Sequence, residues 1–300
     1  MVYSVVDLHC DLLAYLNTDR EKHRAVDDIS RCSLPLLKKG GVSFQALAVF
    51  SKTWNEMQGQ LECFRQISGG PRFALAIENA SGLLGEKEPF DQVYARFDQE
   101  KWLYVSLTWK GENRFGGGDQ SSIGLKEDGK RFLEYMDGKG VAIDLSHTSD
   151  ALAEGILDRI EAKGLNILPI ASHSNFRAIK NHPRNLPDAF AQEIIKRGGV
   201  IGINFVRHFV GDKPEDFVRH IEHALALGGE DALALGADFF GGIDFPGLAE
   251  LEPIFQKAFE DSSCYPRFFE LLTKHFGQEL TEKIFYRNAT ARLMLEEREN

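Results

Sequence analysis

Near the start of the chain an imidazole and two carboxylates fall within five residues, Asp7, His9 and Asp11 in Val5-Val6-Asp7-Leu8-His9-Cys10-Asp11. The apolar, β-branched residues ahead of them read as a strand, whose alternation points His9 and Asp11 to the same side. One imidazole and one carboxylate two residues apart suit a divalent metal. A polar strand end that caps a helix gives the same pattern, so other residues have to decide.

Four of them repeat the arrangement. Glu78 ends Ala74-Leu75-Ala76-Ile77, His147 closes Asp144-Leu145-Ser146-His147, His173 follows Ala171-Ser172, and Asp238 follows Leu235-Gly236-Ala237. Each has a plain structural use when taken singly: a histidine hydrogen-bonded at a strand end, or an acid capping the next helix. Together with His9 and Asp11 they sit at, or just beyond, the carboxyl ends of expected strands, and one metal site accounts for all of them. Unpaired charges buried around one mouth would cost several kcal/mol, and two divalent cations would compensate. Histidine and carboxylate ligands without thiolates favour zinc, while ligand type alone leaves manganese, iron or cobalt open.

The elements that must position these residues recur eight times. Apolar runs lie near 3–7, 42–50, 73–78, 103–108, 141–146, 167–172, 200–204 and 232–238, mostly followed by segments with helical spacing such as 151–163 and 187–197. Strand then helix implies parallel strands, in an open doubly wound sheet or a closed barrel. Eight repeats favour a (β/α)8 TIM-type barrel with long loops at the C-terminal face of the strands, where barrel active sites are built. Residues 12–41 hold one helix's worth of pattern, and 239–266 form a long irregular passage. Without a fixed-period repeat or a linker, residues 1–300 are expected to form a single domain.

Composition narrows the partners. The 300 residues are 43% hydrophobic with a net charge of −10 and no long basic run, which disfavours nucleic acid and anionic membranes. Cys10, Cys32, Cys63 and Cys264 are scattered without a CxxC pair, as reduced structural thiols would be, and Cys10 is expected to face away from its neighbours. Asp7 leaves no room ahead of it for a signal peptide, no apolar run is long enough to span a bilayer, and the ending at 296–300 is charged. A cytoplasmic protein without membrane attachment is expected.

Other candidates are weaker. His220 and His223 share a helix face, read here as solvated, and His23 and His275 are expected to be exposed. Gly116, Gly117 and Gly118 lack the P-loop lysine and hydroxyl, so a flexible pocket loop is expected rather than a phosphate cradle. Trp54, Trp102 and Trp109 are read as core or pocket wall.

These motifs, with Arg184-Asn185-Leu186-Pro187-Asp188 after Ser172-His173-Ser174 and Gly236-Ala237-Asp238-Phe239 near the end, resemble the renal or membrane dipeptidase family. These are metallopeptidases of the amidohydrolase superfamily, and the likeness runs through nearly the whole chain. It implies that His9 and Asp11 hold one zinc, His147 and His173 the other, and Glu78 both, with a water or hydroxide between the metals. It further implies Asp238 as general acid/base and Arg184 as a contact for the substrate's carboxylate. Two positions depart. Phe240 stands where the family often has a second Asp. Trp109 stands where the animal enzymes have a substrate-contacting histidine, leaving Lys110, Asn113, Arg114 or the metal to polarise the carbonyl. Trp109 and Asn113 therefore join the expected substrate contacts. Members are commonly dimers, so a homodimer is allowed.

The expected activity is zinc-dependent hydrolysis of dipeptides, including those with a D-residue at the C-terminal side. Hydrolysis of another amide, a lactone or a cyclic imide is the alternative, and a metal-holding barrel without turnover is a third reading.

Overall fold

The computed structural model describes residues 4–297. Eight strands, β1 (Val5–Cys10), β2 (Val42–Phe50), β3 (Arg72–Glu78), β4 (Trp102–Ser106), β5 (Ala142–Asp144), β6 (Pro169–Ile170), β7 (Ile201–Ile203) and β8 (Leu233–Leu235), form one sheet. Their order is β6-β5-β4-β3-β2-β1-β8-β7, and every pairing is parallel. Just past β6, the Ala171 N–H donates to Val200 O at 2.9 Å and its carbonyl accepts from Gly202 at 2.8 Å, which brings β6 to β7. The sheet thus curls into the expected (β/α)8 barrel. Tyr3 of the first expected strand and 298–300 of the charged ending lie outside the described residues.

Two apolar layers hold the barrel. Val6, Leu8, Ala46, Ala76, Tyr104, Ala142, Ile170 and Ala234 fill its interior, where small residues from some strands make room for large ones from others. A larger cluster fills the space between sheet and helices. The helix Asp150–Lys163 is one that covers the sheet. Ser149 caps it by accepting from Leu152 N at 3.0 Å, Ile156 and Ile160 are buried, and Gly164 ends it at φ +61°. The helix Asp188–Lys196 likewise matches its expected span.

Four expectations need correction. The last four strands are shorter than the apolar runs: β5, β7 and β8 have three residues and β6 two, because the chain leaves the ladder to shape the mouth. Residues 12–41 hold two α-helices, Leu12–Thr18 and Leu34–Gly40, rather than one. His220 is not solvated. It is fully buried on the helix Pro214–Ala226, where Nδ1 accepts from Phe176 N at 3.2 Å and Nε2 donates to Val210 O at 3.1 Å. Finally, His23 is half-buried against the Tyr15 ring at 4.2 Å, whereas His275 is exposed. Among the described residues no helix is long and apolar enough to cross a membrane.

Candidate active site

The site starts from an irregularity in β1. Asp7 pairs with Gln45 of β2 but Cys10 pairs with Leu47, so β1 carries one extra residue there. Such a bulge breaks the alternation. Leu8 faces the barrel interior, the His9 ring meets Tyr104 there, and Cys10 turns into the outer layer, away from its neighbours. The Asp7 carboxylate faces outward and accepts from His9 N, Ala237 N and the Tyr265 hydroxyl at 3.2, 3.0 and 2.6 Å. Asp7 therefore clamps β1 to the end of β8 and to the helix Tyr265–Phe276.

Glu78 is the last residue of β3, and Asp11 directly follows β1. His147, His173 and Asp238 lie in the turns after β5, β6 and β8. His147 and Asp238 take φ of +65° and +62°, a left-handed backbone that costs a non-glycine residue roughly 1–2 kcal/mol and concentrates at functional turns. A Cβ on Gly236 would meet Ser172 O at 1.8 Å, so only glycine there lets the turn carrying His173 approach the end of β8.

These turns converge on Glu78. His147 Nε2 lies 3.0 Å and His173 Nε2 3.9 Å from Oε1, while His9 Nε2 lies 3.3 Å from Oε2 and 3.7 Å from Asp238 Oδ1. The rings of His9 and His173 stack at 3.6 Å, and the Nε2 atoms of both are buried without a hydrogen bond. Buried polar atoms are almost always satisfied, so two orphans aimed at one carboxylate call for a ligand. The other ring nitrogens are engaged: His9 Nδ1 with the Tyr104 hydroxyl at 2.7 Å, His173 Nδ1 with Ser172 Oγ at 2.6 Å, and His147 Nδ1 with Asp119 Oδ1 at 3.3 Å. That fixes each ring with its Nε2 turned to the centre, as metal-binding histidines are held. His9, Glu78 and His173 form one group able to hold an ion; His9, Asp11 and Asp238 form another.

Charge agrees with geometry. Burial opposes a proton on His9, yet the carboxylates of Glu78, Asp11 and Asp238 override it and push its pKa up to about 10. Burial raises Asp11 and Asp238, the nearby Glu78 adding to both, while His9 and His147 hold Glu78 well below the carboxylate range against its own burial. Burial, helped by the charge of His9, keeps His173 neutral. Three carboxylates thus draw positive charge to one point, and divalent cations answer that demand.

The remaining expected contacts divide. Arg184 is buried, donating from Nη1 to Ser174 Oγ at 2.8 Å and from Nη2 to His173 O at 2.9 Å, with Nε unpaired. Trp109 lines the cleft above Glu78, a space of about 420 Å³. Asn113 is not brought to this cleft. Its amide donates to Asn79, Ser81 and Leu107 and its Oδ1 accepts from Phe115 N and Gly116 N, organising its own loop. The three glycines are pinned rather than loose: Gly118 N donates to Gly111 O, and Ser149 N to Gly117 O, both at 2.9 Å. Asp119, which follows these glycines directly, and His182 and His208 also line the cleft, without having been expected there. An acid immediately after a glycine run was the available signal for the first; the other two carried none.

Comparison with known proteins bears on the chain as a whole. A model of the membrane dipeptidase family, peptidase family M19, matches residues 64–298. An uncharacterized protein in the pqqA 5′ region of Klebsiella pneumoniae is 30% identical over 71% of this chain and 77% of its own length. An uncharacterized dipeptidase of Schizosaccharomyces pombe is 30% identical over 60% of this chain but 42% of its own length. The fold resembles that of a metallopeptidase from Rhodobacter sphaeroides, solved with a phosphinate mimic of the dipeptide L-Ala-D-Ala. The TM-score is 0.84 at 18% identity, covering 98% of this chain and 99% of that one. The chain belongs to the membrane dipeptidase family of metallopeptidases.

Proposed function

We propose that the chain is a binuclear zinc dipeptidase, accepting dipeptides that include those with a D-residue at the C-terminal side. The observation that carries this reading is the pair of buried, unpaired Nε2 atoms of His9 and His173 facing the single carboxylate of Glu78. His9 and Asp11 would hold one ion, His147 and His173 the second, and Glu78 both. Imidazole and carboxylate donors without thiolate suit zinc. Ions held there would supply polarisation of the amide carbonyl and a lowered pKa for the attacking water.

The protein's own groups do the rest. Asp238 Oδ2 is tied to Asn204 Nδ2 at 2.8 Å, which leaves Oδ1 turned to the centre beside His9 Nε2. Oδ1 accepts the proton of the attacking water and returns it to the departing amine, so the C–N bond breaks to a neutral amino group. The Arg184 guanidinium, held by Ser174 and His173, offers its free Nε–H to the carboxylate at the substrate's C-terminus. A reducing, cytoplasmic setting agrees with four cysteines that are all buried and unpaired.

Asp238→Asn tests the proton transfer. With zinc content unchanged, kcat for a dipeptide should fall at least about a hundredfold; full activity in that variant overturns the assignment.

A further inference from the structure

The cleft above Glu78 has two unlike sides. Phe50 ends β2, Trp109 follows β4, and Phe240 and Phe245 come from the passage after β8. Ring centroids are 4.9 Å apart for Phe50 and Trp109, 5.7 Å for Trp109 and Phe245, and 5.6 Å for Phe240 and Phe245, so these four make one continuous aromatic wall. Lys110 locks it: Nζ sits 4.6 Å over the Trp109 ring and 4.8 Å over Phe245 while donating to Pro246 O at 3.0 Å. The passage after β8 is thereby held against the loop after β4.

The other side carries imidazole and guanidinium nitrogen beside a single ring, Phe209, which packs on His182 at 4.9 Å. His182 follows β6 and His208 follows β7, with Arg184 buried near them. In an eight-stranded barrel β6 lies four strands from β2, across the mouth. A dipeptide has one free carboxylate; Lys110 on the aromatic side is already engaged by Pro246 O and two ring faces, whereas Arg184 Nε is unpaired and the cleft-lining imidazoles stand on its side, so the carboxylate is placed there. With the scissile carbonyl over Glu78, the N-terminal residue then falls on the aromatic side.

We propose that this site selects dipeptides whose N-terminal residue has a large apolar side chain, aromatic above all, seated against Trp109 and Phe245. The inference rests on the dipeptidase reading and adds the side-chain class and its position. A ring packed on this wall leaves water and gains edge-to-face contacts, neither of which a glycine can make. A side chain lost from an apolar pocket typically changes kcat/KM by tenfold or more.

The experiment compares kcat/KM of the zinc-loaded protein for Phe-Ala, Leu-Ala and Gly-Ala, and for Ala-Phe and Ala-Gly. Phe-Ala should exceed Gly-Ala by at least about tenfold, and Leu-Ala should fall between them. Ala-Phe and Ala-Gly should differ by less than that. Phe245→Ala should shrink the Phe-Ala to Gly-Ala ratio several-fold and Phe245→Leu should recover part of it, with Trp109→Leu as an independent reading of the same ratio. Equal rates for Phe-Ala and Gly-Ala, a preference expressed at the C-terminal residue, or a ratio untouched in Phe245→Ala and Trp109→Leu would each overturn the inference and leave the dipeptidase reading standing. Cleavage of none of the five, nor of their counterparts with a D-residue at the C-terminal side, overturns both.

Discussion

The imidazoles of His9 and His173 stack at 3.6 Å between ring centroids, each with its Nε2 buried and unpaired and each facing the carboxylate of Glu78. Two rings, one from strand β1 and one from the turn after β6, do not stack this closely around an acid for packing alone. If both protonated, their charges would repel at short range. The carboxylates raise the pKa of His9, whereas burial lowers that of His173, so positive charge is concentrated at one point between carboxylates.

Glu78 is the group all three histidines share, with contacts of 3.0 to 3.9 Å. Glu78→Gln keeps the shape but removes the charge and one acceptor oxygen. Metal content after desalting should fall from about two ions per chain to one or fewer, with dipeptide hydrolysis falling at least about a hundredfold. Elemental analysis reads the first and an amino-acid release assay the second; two ions retained would remove Glu78 from the centre.

Asp119 meets His147 through Nδ1 at 3.3 Å, on the far side of the ring from Glu78. It is a positioning residue. Asp119→Asn should weaken metal binding by about 10- to 100-fold, as losses of such partners do, while the thermal midpoint of the metal-free protein changes little. Titration with a zinc buffer checks this, and unchanged affinity would leave Asp119 as a cleft wall only.

His220 predicts a pH effect away from the site. Burial lowers its pKa to about 4, against 6.5 for the free imidazole. The unfolded chain therefore binds the proton first, so the native state is favoured above about pH 6.5 and loses this advantage as pH falls towards 4. The full difference is on the order of 3 kcal/mol. Denaturant midpoints at pH 7 and 5 should differ less in His220→Gln than in the native sequence, whatever the variant's absolute stability. An unchanged difference would mean that His220 does not titrate this way.

The barrel was legible because eight apolar runs with helical segments between them have few other solutions. Its mouth was legible because charged residues gathered at the run ends. What escaped depends on local geometry. Alternation points His9 and Asp11 to one side, but a bulge at Leu8 and His9, invisible to a period of two, is what turns His9 inward. His220 belongs to the buried stripe of Phe217, Ile221 and Ala224, yet a histidine there reads as polar surface until its partners, Phe176 N and Val210 O, are known. Asn113 shows the converse: an asparagine expected at the substrate is consumed by five hydrogen bonds within its own loop and the neighbouring turn. The aromatic wall joins residues from positions 50 to 245, and no spacing rule connects them.

Release of free amino acids from L,L and L,D dipeptides tests the central claim most directly, measured for the zinc-loaded protein, after chelation, and after zinc is restored. Cleavage that disappears with the metal and returns with it, for dipeptides and not for tripeptides, is the predicted result. A protein that holds two zinc ions and cleaves no dipeptide would contradict the account.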